Sequence, residues 1–436
     1  MKVRYWNERM ETMPRERLEA LQLRRLRKQV GYAHSKLPLY KRRFKEAGVR
    51  PDDIRSLEDL QRFPFTVKND LRDHYPYGIL ALPLRDIVRI HASSGTTGTP
   101  TVVTYTRGDL DTWTNLMARN YTAAGVGPGD IVQNAYGYGL FTGGLGFHYG
   151  AERVGAKVLP TAAGNTKRQL KLMKDMRSTV LTCTPSYAVY LTEAAVQEGY
   201  DPKRDFALKA GMFGAEPWSE EARTHIEENF GMKAYDCYGL SEIYGPGVGG
   251  ECHRQDGLHI WEDEILIEIV DPDTGEWVRP GELGEIVFTM LRREAMPLIR
   301  YRTRDLGWVT TEECACGRTS TRLMEIRGRS DDMLIIGGVN VFPSQIESVL
   351  MGIPELGDQF QILVDRSKAL VRLTVQVEVS RDFATQPKEG WARLQDRVGK
   401  DMLATLAINP GIELKDPGTL PRYEGKAVRV IDVTKK

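Results

Sequence analysis

The middle of the chain alternates short apolar runs with longer amphipathic stretches. The apolar runs are four to six residues long, and the stretches between them place apolar residues at helical spacing. Strands and helices in alternation are typical of a doubly wound, largely parallel sheet. The predicted strands cover residues 131–135, 156–159, 179–182, 208–213 and 232–235, and the predicted helices cover 109–124, 167–176, 186–198 and 219–230.

The pattern changes from about residue 258. Runs at 265–270 and 284–289 flank the turn residues 271–275 and predict antiparallel strands in a small β subdomain. A polar bridge near 328–332 then leads into about a hundred residues of mixed strands and helices, which predict a compact α+β domain. We therefore predict an α/β protein with a large N-terminal domain over 1–329 and a small C-terminal α+β domain over 330–436.

Composition narrows the class of protein. The chain has 436 residues, enough for two to four domains, and its 60 basic and 59 acidic residues leave a net charge of +1. This balance argues against a partner recognised by charge, such as nucleic acid or an anionic membrane. Basic residues crowd positions 15–43, but Leu18, Leu21, Leu26 and Val30 accompany them at near-helical spacing, which favours a solvated helix.

The same features predict a cytoplasmic location. The N-terminus lacks the apolar core of a signal peptide, and no apolar run approaches the ~18 residues of a membrane span. Five cysteines are too few for a disulfide scaffold in a chain of this length, and free thiols or metal ligands suit a reducing compartment. The sequence leaves the oligomeric state open, a homodimer included.

Residues 93–101 form the segment that most clearly predicts chemistry. Six hydroxyl side chains and two glycines in nine residues can surround an oxyanion with N–H and O–H groups. An ordinary surface loop has a similar composition, so this alternative stays open. Strand-like runs at 87–90 and 101–106 flank the loop, and the Lys and helix of a Walker loop are missing, which argues against a kinase or GTPase.

Seven motifs together resemble the adenylate-forming superfamily, most closely the phenylacetate–coenzyme A ligases and related aryl-CoA ligases. They cover nearly the whole chain in the family's order. These motifs are SSGTTG (93–98), YGYGLFTGG (136–144), GAEP (214–217), DCYGLSE (236–242), YRTRD (301–305), GRSDD (328–332) and PRYEGK (421–426).

The resemblance implies a reaction in two halves. A carboxylate attacks the α-phosphate of ATP to give an acyl-adenylate and pyrophosphate, and the thiol of coenzyme A then displaces AMP. Glu242 would hold Mg²⁺, and Lys426 would bridge the carboxylate and the α-phosphate from a mobile C-terminal domain with its hinge at Asp331.

The resemblance also implies an ATP/AMP site. Gly214, Ala215 and Glu216 would lie on one face of the adenine and Tyr238 on the other, while Asp305 would accept hydrogen bonds from the ribose hydroxyls. Arg329 would add a charge-assisted contact. The remaining nucleotide-binding residues implied by the motifs are Ser93, Ser94, Gly95, Thr96, Thr97, Gly98, Asp236, Gly239 and Ser241.

The glycine-rich segment 136–150 is the predicted lining for the side chain of the acid. Tyr136 and Phe141 would form aromatic walls; Gly143, Phe147 and Ala215 complete the predicted lining. The chain departs from the family at Phe147, where a smaller residue is expected, at Thr99, where Lys is frequent, and at Gly338, where Arg is usual. These departures affect the expected pocket size, ATP affinity and coenzyme A contact respectively.

Four residues predict a structural zinc site. Cys314 and Cys316 form a tight pair on a turn, and Cys252 with either His253 or His259 completes a tetrahedral set. His259 is preferred because an adjacent Cys-His pair would strain a common metal centre. Unpaired buried thiols are the alternative. Cys183 and Cys237 are predicted core residues, and no oxyanion-forming loop accompanies a Cys-His nucleophile.

These observations predict an ATP- and Mg²⁺-dependent ligase that joins an aryl or arylacetic acid, phenylacetate above all, to coenzyme A. An enzyme that passes the acyl group to a carrier protein or an amine is the alternative within the same chemistry. A regulatory module that binds nucleotide and zinc is the alternative outside it.

Overall fold

The first 105 residues build a helical layer and a short antiparallel pair of strands. The computed structural model describes residues 4–93, 100–330, 334–336, 339–366 and 372–435. Leu18, Leu26 and Val30 of α2 are buried, so the basic N-terminal stretch forms the predicted amphipathic helix. The elements are α1 (Glu8–Glu11), α2 (Arg15–Lys36), α3 (Pro38–Glu46), α4 (Lys68–Asp73), β1 (Arg89–Ala92) and β2 (Val102–Tyr105).

The predicted doubly wound sheet is confirmed. Its five strands are parallel neighbours in the order β4, β3, β5, β6, β7. One face packs on α5 and α6, and the other packs on α7, α8 and α10. The elements are α5 (Arg107–Ala123), β3 (Ile131–Asn134), α6 (Gly143–Arg153), β4 (Lys157–Leu159), α7 (Thr166–Asp175), β5 (Val180–Cys183), α8 (Pro185–Gln197), α9 (Pro202–Asp205), β6 (Ala210–Phe213), α10 (Glu220–Phe230) and β7 (Lys233–Leu240).

Helix α5 begins two residues before the predicted start. Thr106 is its N-cap and accepts a hydrogen bond from the N–H of Asp109 at 3.0 Å, while the Asp109 carboxylate accepts from the N–H of Thr106 at 3.1 Å. Asp109 is therefore the third helical residue of a capping box, where its charge also favours the helix N-terminus.

The predicted β subdomain is the antiparallel half of the same sheet. The first four residues of β7 pair in parallel with β6, and its last four pair antiparallel with β8. This eight-residue strand therefore joins the parallel part of the sheet to its antiparallel part. The whole sheet has eleven strands in the order β10, β11, β12, β13, β9, β8, β7, β6, β5, β3, β4. The added strands are β8 (Gly245–Glu251), β9 (Leu258–Ile260), β10 (Ile265–Val270), β11 (Gly284–Met290), β12 (Tyr301–Thr310) and β13 (Arg322–Arg329).

The C-terminal part of the chain has a sheet and a core of its own. Strands β18, β17, β16 and β19 lie side by side in that order, and α11 and α12 contribute Ile346, Val398 and Met402 to the buried cluster beneath them. The elements are β14 (Leu334–Ile336), β15 (Val339–Val341), α11 (Pro343–Met351), β16 (Leu356–Asp365), β17 (Arg372–Val379), α12 (Lys388–Leu406), β18 (Gly411–Lys415) and β19 (Val430–Asp432).

Among the described residues, no helix is both long enough and apolar enough to cross a membrane.

Candidate active site

The carboxyl ends of β6 and β7 place two predicted motifs side by side. Gly214 follows β6, and a Cβ atom on it would lie 2.2 Å from the carbonyl oxygen of Cys237 on β7, so only glycine fits there. Ala215 is exposed and has a φ of 75°. The backbone of Gly214 and Ala215 therefore lies beside β7 without a large side chain between them, and a flat ligand could lie against it.

Tyr238, Asp305 and Arg329 converge from three strands. The Tyr238 hydroxyl donates to Oδ2 of Asp305 at 2.5 Å, and Nη1 of Arg329 lies 3.6 Å from Oδ1 of the same carboxylate. Burial, followed by the charge of Asp305, raises the pKa of Tyr238 well above its ordinary value. The phenol therefore stays a hydrogen-bond donor, and three residues predicted to bind the nucleotide form one polar group.

Glu242 is a nearly buried carboxylate just beyond the end of β7. Nζ of Lys68 lies 3.5 Å from its Oε1, and the Tyr301 hydroxyl is a further hydrogen-bond partner. Burial, followed by Glu242, raises the pKa of Tyr301 well above its ordinary value, so this phenol also stays protonated. The neighbouring Ser241 hydroxyl lies 3.2 Å from that of Thr142.

The hydroxyl-rich loop joins β1 to β2, as the flanking runs predict. At its described edges, the Ser93 hydroxyl accepts from the N–H of Thr101 at 3.0 Å. The predicted residues Ser94, Gly95, Thr96, Thr97 and Gly98 lie outside the described residues, together with Thr99, Asp331 and Gly338.

Residues 424–427, here called the lysine segment, contact the carboxyl ends of the parallel strands. Oε1 of Glu424 accepts from the Thr166 hydroxyl at 2.8 Å, and the carbonyl of Gly425 accepts from the Thr184 hydroxyl at 3.1 Å. Both threonines lie at helix N-termini, Thr166 as the first residue of α7 and Thr184 as the N-cap of α8. The backbone next to Lys426 is thereby attached to the large domain, although it belongs to the C-terminal part of the chain, and the Lys426 side chain itself is exposed.

Glu216 links this segment to the nucleotide motif. Its Oε1 accepts from the N–H of Ser186 at 2.8 Å, and its Oε2 accepts from the N–H of Ala427 at 3.1 Å. The sequence predicts Glu216 as part of the adenine face. The structure shows that both carboxylate oxygens are occupied by backbone N–H groups, one in α8 and one beside Lys426.

Asp236 ends the parallel part of β7, where its N–H donates to Oε2 of Glu251 at 2.7 Å. Burial, followed by the negative charge of Glu251, raises the pKa of the Asp236 carboxyl to about 7. Asp236 can therefore offer either a carboxylic acid or a carboxylate near neutral pH.

The predicted acid lining separates into a buried and an exposed part. The rings of Tyr136 and Phe147 stack at 4.6 Å with an interplanar angle of 8°, and the Tyr136 hydroxyl donates to the carbonyl of Gly214 at 3.2 Å. Gly143 is buried nearby. Phe141 is 47% exposed, so its ring lies at the surface rather than within this stack.

The four predicted metal ligands come together in the structure. The ligand atoms of Cys252, His259, Cys314 and Cys316 all lie within 4.8 Å of one another, and all four residues are buried. Sγ of Cys252 lies 3.8 Å from Sγ of Cys314, and Sγ of Cys316 lies 3.4 Å from Nε2 of His259. We call these residues the Cys/His cluster. His253 is not among them.

The surroundings fix the geometry of the cluster. Nδ1 of His259 lies 3.1 Å from the Ser320 hydroxyl, which leaves Nε2 facing the thiols. The N-terminal segment covers the outside, because the Tyr5 hydroxyl donates to the carbonyl of Cys316 at 2.8 Å and Nε of Arg318 donates to Glu11 at 2.9 Å. A hydrogen bond from Cys252 holds the pKa of the Cys316 thiol well below its usual range.

Two protein-family models match the sequence of this chain. The model described as "AMP-binding enzyme" matches residues 25–290, and "AMP-binding enzyme C-terminal domain" matches residues 338–434. The chain belongs to the AMP-binding enzyme family. The predicted resemblance is confirmed. The carboxyl ends of β6 and β7 lie within the residues that the first model matches.

Relatives within the AMP-binding enzyme family match nearly the whole chain. A phenylacetate-coenzyme A ligase from Thermus thermophilus is 48% identical over 98% of this chain and 99% of its own length. A phenylacetate-coenzyme A ligase from Pseudomonas putida is 48% identical over 97% of this chain and 96% of its own length.

Solved structures of one AMP-binding enzyme match to different degrees in different states. A 2-hydroxyisobutyryl-CoA ligase in the postadenylation state in complex with 2-HIB-AMP gives a TM-score of 0.95 at 33% identity and covers 100% of this chain and 93% of that chain. The same ligase with 2-HIB-AMP and CoA in the thioesterification state gives 0.74 at 34% identity, covering 98% and 92%.

Sequence reasoning missed two features of this site. Lys68 lies next to Glu242 although 173 residues separate them in the chain and no motif marks the lysine. The anchoring of the lysine segment by Thr166 and Thr184 was also missed, although both residues could have been recognised as helix starts from their positions before amphipathic stretches.

Proposed function

We propose that this AMP-binding enzyme ligates an aryl or arylacetic acid, with phenylacetate the favoured substrate, to coenzyme A through an acyl-adenylate. The observation that carries the proposal is that the backbone on both sides of Lys426 bonds to the large domain, Gly425 to Thr184 and Ala427 to Glu216, two residues after Gly214. The relatives at 48% identity, which are named phenylacetate-coenzyme A ligases, support the choice of acid and acceptor.

In the adenylation half, a carboxylate oxygen of the acid bonds to the α-phosphorus of ATP. The bond from that phosphorus to the bridging oxygen breaks, and pyrophosphate leaves with the electron pair. Lys426 stabilises the negative charge that builds on the α-phosphate, while Asp305 accepts hydrogen bonds from the ribose. Tyr238 keeps Asp305 oriented through its 2.5 Å hydrogen bond.

Glu242 is the residue that would hold Mg²⁺. Its carboxylate is nearly buried, and carboxylate oxygens are the ligands that this cation prefers. When bound, Mg²⁺ supplies positive charge to the phosphates of ATP. Ser93 and the rest of the hydroxyl-rich loop would bind the β- and γ-phosphates.

In the second half, the thiol sulfur of coenzyme A bonds to the acyl carbon, AMP leaves, and the thiol proton is lost to solvent or a base. Lys426 has no task in this step, and we propose that the domain over 330–436 turns away from the domain over 1–329 with its hinge at Asp331. The higher TM-score to the postadenylation state supports the view that the described arrangement serves adenylation.

For the acid, Tyr136 and Phe147 would form the closed end of the pocket and Ala215 would lie near the carboxylate. We expect this stacked pair to limit the size of the ring that the pocket accepts, which favours a single ring. Phe141 would lie at the entrance, since it is exposed.

The Cys/His cluster would hold a structural zinc ion. Three thiols and one imidazole within 4.8 Å suit tetrahedral zinc, and the buried, closed set leaves no position for a reacting ligand. The five cysteines are all free and buried, which supports a reducing location such as the cytoplasm. Metal analysis of protein purified without chelator should give one zinc per chain, and a zinc-free, fully active protein would contradict the assignment.

The function is tested by a coupled assay for AMP and thioester formation from ATP, Mg²⁺ and coenzyme A. The acids are benzoate, phenylacetate, hydroxyphenylacetates, indoleacetate and medium-chain fatty acids. We expect thioester formation with phenylacetate at the highest kcat/KM. Pyrophosphate release without thioester would support adenylation and exclude coenzyme A as the acceptor, which favours a carrier protein or an amine. No reaction with any acid would contradict the proposal and favour the regulatory module.

A further inference from the structure

Glu242 and Lys68 form an asymmetric pair. The glutamate side chain is 6% exposed, whereas the lysine side chain is 37% exposed, and 3.5 Å separates their charged atoms. Glu242 is further fixed by the Tyr301 hydroxyl. Lysine carries its charge on a flexible four-carbon stem. The carboxylate is therefore the fixed member of the pair, and the ammonium group can turn toward a second anion beside it.

The backbone that carries Lys68 is held firmly. Lys68 is the first residue of α4, and Thr66 pairs with β12 just before it. The N–H of Thr66 donates to the carbonyl of Arg300 at 2.9 Å, and its carbonyl accepts from the N–H of Arg302 at 2.9 Å. Strand β12 also carries Asp305. Lys68 is thus anchored to the same strand as the proposed ribose contact.

The sequence of the phosphate loop creates a need for such a charge. No Lys or Arg stands between Arg89 and Arg107, so the loop over residues 93–101 has hydroxyl and N–H donors but no Lys or Arg of its own, and Arg89 at the start of β1 lies over the Tyr149 ring. A departing pyrophosphate carries several negative charges, and positive groups placed where that charge develops stabilise the transition state.

We propose that Lys68 binds the β- and γ-phosphate oxygens of ATP and of the departing pyrophosphate, turning to them from Glu242. This inference rests on the proposed adenylation. Lys68 acts as a point charge. Lys426 serves the α-phosphate, and Lys68 serves the leaving group.

The test compares Lys68→Met with Lys68→Arg and with the control Lys41→Met, which changes an exposed lysine on α3. Calorimetry measures the binding of Mg²⁺-pyrophosphate and MgATP without any acid. We expect Lys68→Met to raise the Kd of Mg²⁺-pyrophosphate and of MgATP about 10- to 100-fold, because this is the typical effect of losing a hydrogen bond to a charged group. Lys68→Arg should recover most of the affinity, and Lys41→Met should match the wild type.

Kinetics separate this role from a structural one. Lys68→Met should raise the KM for MgATP and weaken inhibition by pyrophosphate, yet leave thioester formation from supplied acyl-adenylate unchanged. Unchanged pyrophosphate affinity, or equal losses in both half-reactions, would overturn the proposal. Because the calorimetry needs no acid substrate, it tests Lys68 even if the wild type fails to ligate any acid in the panel.

Discussion

The Cys/His cluster and the lysine segment are attached to the large sheet in opposite ways. All four residues of the cluster are buried, and the N-terminal segment covers them through Tyr5, which bonds to Cys316, and Glu11, which bonds to Arg318. The lysine segment is instead attached by individual hydrogen bonds to Thr166, Thr184 and Glu216, at a partly exposed interface.

The difference indicates which contacts are permanent. Separating the cluster would expose buried thiols and, with a metal bound, break coordination bonds, whereas hydrogen bonds at an exposed interface exchange readily for water at a net cost of about 1 kcal/mol each. We infer that the cluster stabilises the fold in every state and that the lysine segment is built to detach.

The largest effect is expected from Cys316→Ser, which removes one ligand from the cluster. The loss should lower the free energy of unfolding by more than about 4 kcal/mol, in the range typical of a lost metal site. Thermal unfolding and zinc content measure it. Cys183→Ala, a buried cysteine outside the cluster, should keep the full zinc content. A Cys316→Ser protein with wild-type zinc and stability would show that the cluster is not a metal site.

Next in size is Lys426→Ala. We expect adenylation to slow about 10²- to 10³-fold, because a charge that stabilises the transition state is removed. Thioester formation from supplied acyl-adenylate should stay near the wild-type rate. Lys400→Ala, which removes an exposed lysine on α12, is the control. Equal losses in the two half-reactions would contradict a lysine that serves only one of them.

A smaller effect is expected from Glu216→Gln. The amide keeps one acceptor oxygen but places an NH₂ group against one of the two backbone N–H donors, of Ser186 or of Ala427. Adenylation should slow about tenfold, with the thioester step unchanged. Glu220→Gln on α10, whose side chain is highly exposed, should have no effect. If both half-reactions of Glu216→Gln match the wild type, Glu216 does not hold the lysine segment.

The smallest effect is a pH dependence that Glu347 of α11 introduces. Burial raises the pKa of this carboxyl to about 7, with Arg429 opposing and Glu216 and Glu221 adding to the rise. The packed arrangement therefore favours protonated Glu347, and its stability falls as the pH rises from about 4.5 through about 7. These values shift the packing equilibrium by at most about tenfold between pH 6 and pH 8.5, and the ratio of the adenylation rate to the thioester rate should fall by no more than this. Glu347→Gln should flatten this dependence, and an unchanged slope in that variant would exclude Glu347 as its cause.

Local patterns explain what the sequence could predict. The parallel strands were predictable because each is an apolar run between turn residues, and the cluster was predictable because Cys314 and Cys316 restrict the choice of partners. The motif residues Tyr238 and Asp305 were predicted to share one ligand, and the structure brings them together at 2.5 Å.

Long-range pairing explains what the sequence could not predict. The joining of both halves into one sheet depends on β7 changing partners along its length, which no local pattern encodes. Lys68 meets Glu242 only because Thr66 pairs with β12. Glu216 was predicted from its motif to face adenine, but its contacts depend on where a distant domain packs.

Hydrogen exchange measured by mass spectrometry tests the central contrast most directly. The enzyme is loaded with a non-reactive acyl-sulfamoyl adenosine and then with coenzyme A, and peptides covering the lysine segment and the Cys/His cluster are followed. We predict slow exchange in the segment with the analogue alone, since the N–H of Ala427 is bonded to Glu216. Adding coenzyme A should speed exchange there about tenfold while the cluster stays protected. Equal protection of the segment in both states would contradict a lysine that leaves between the two half-reactions.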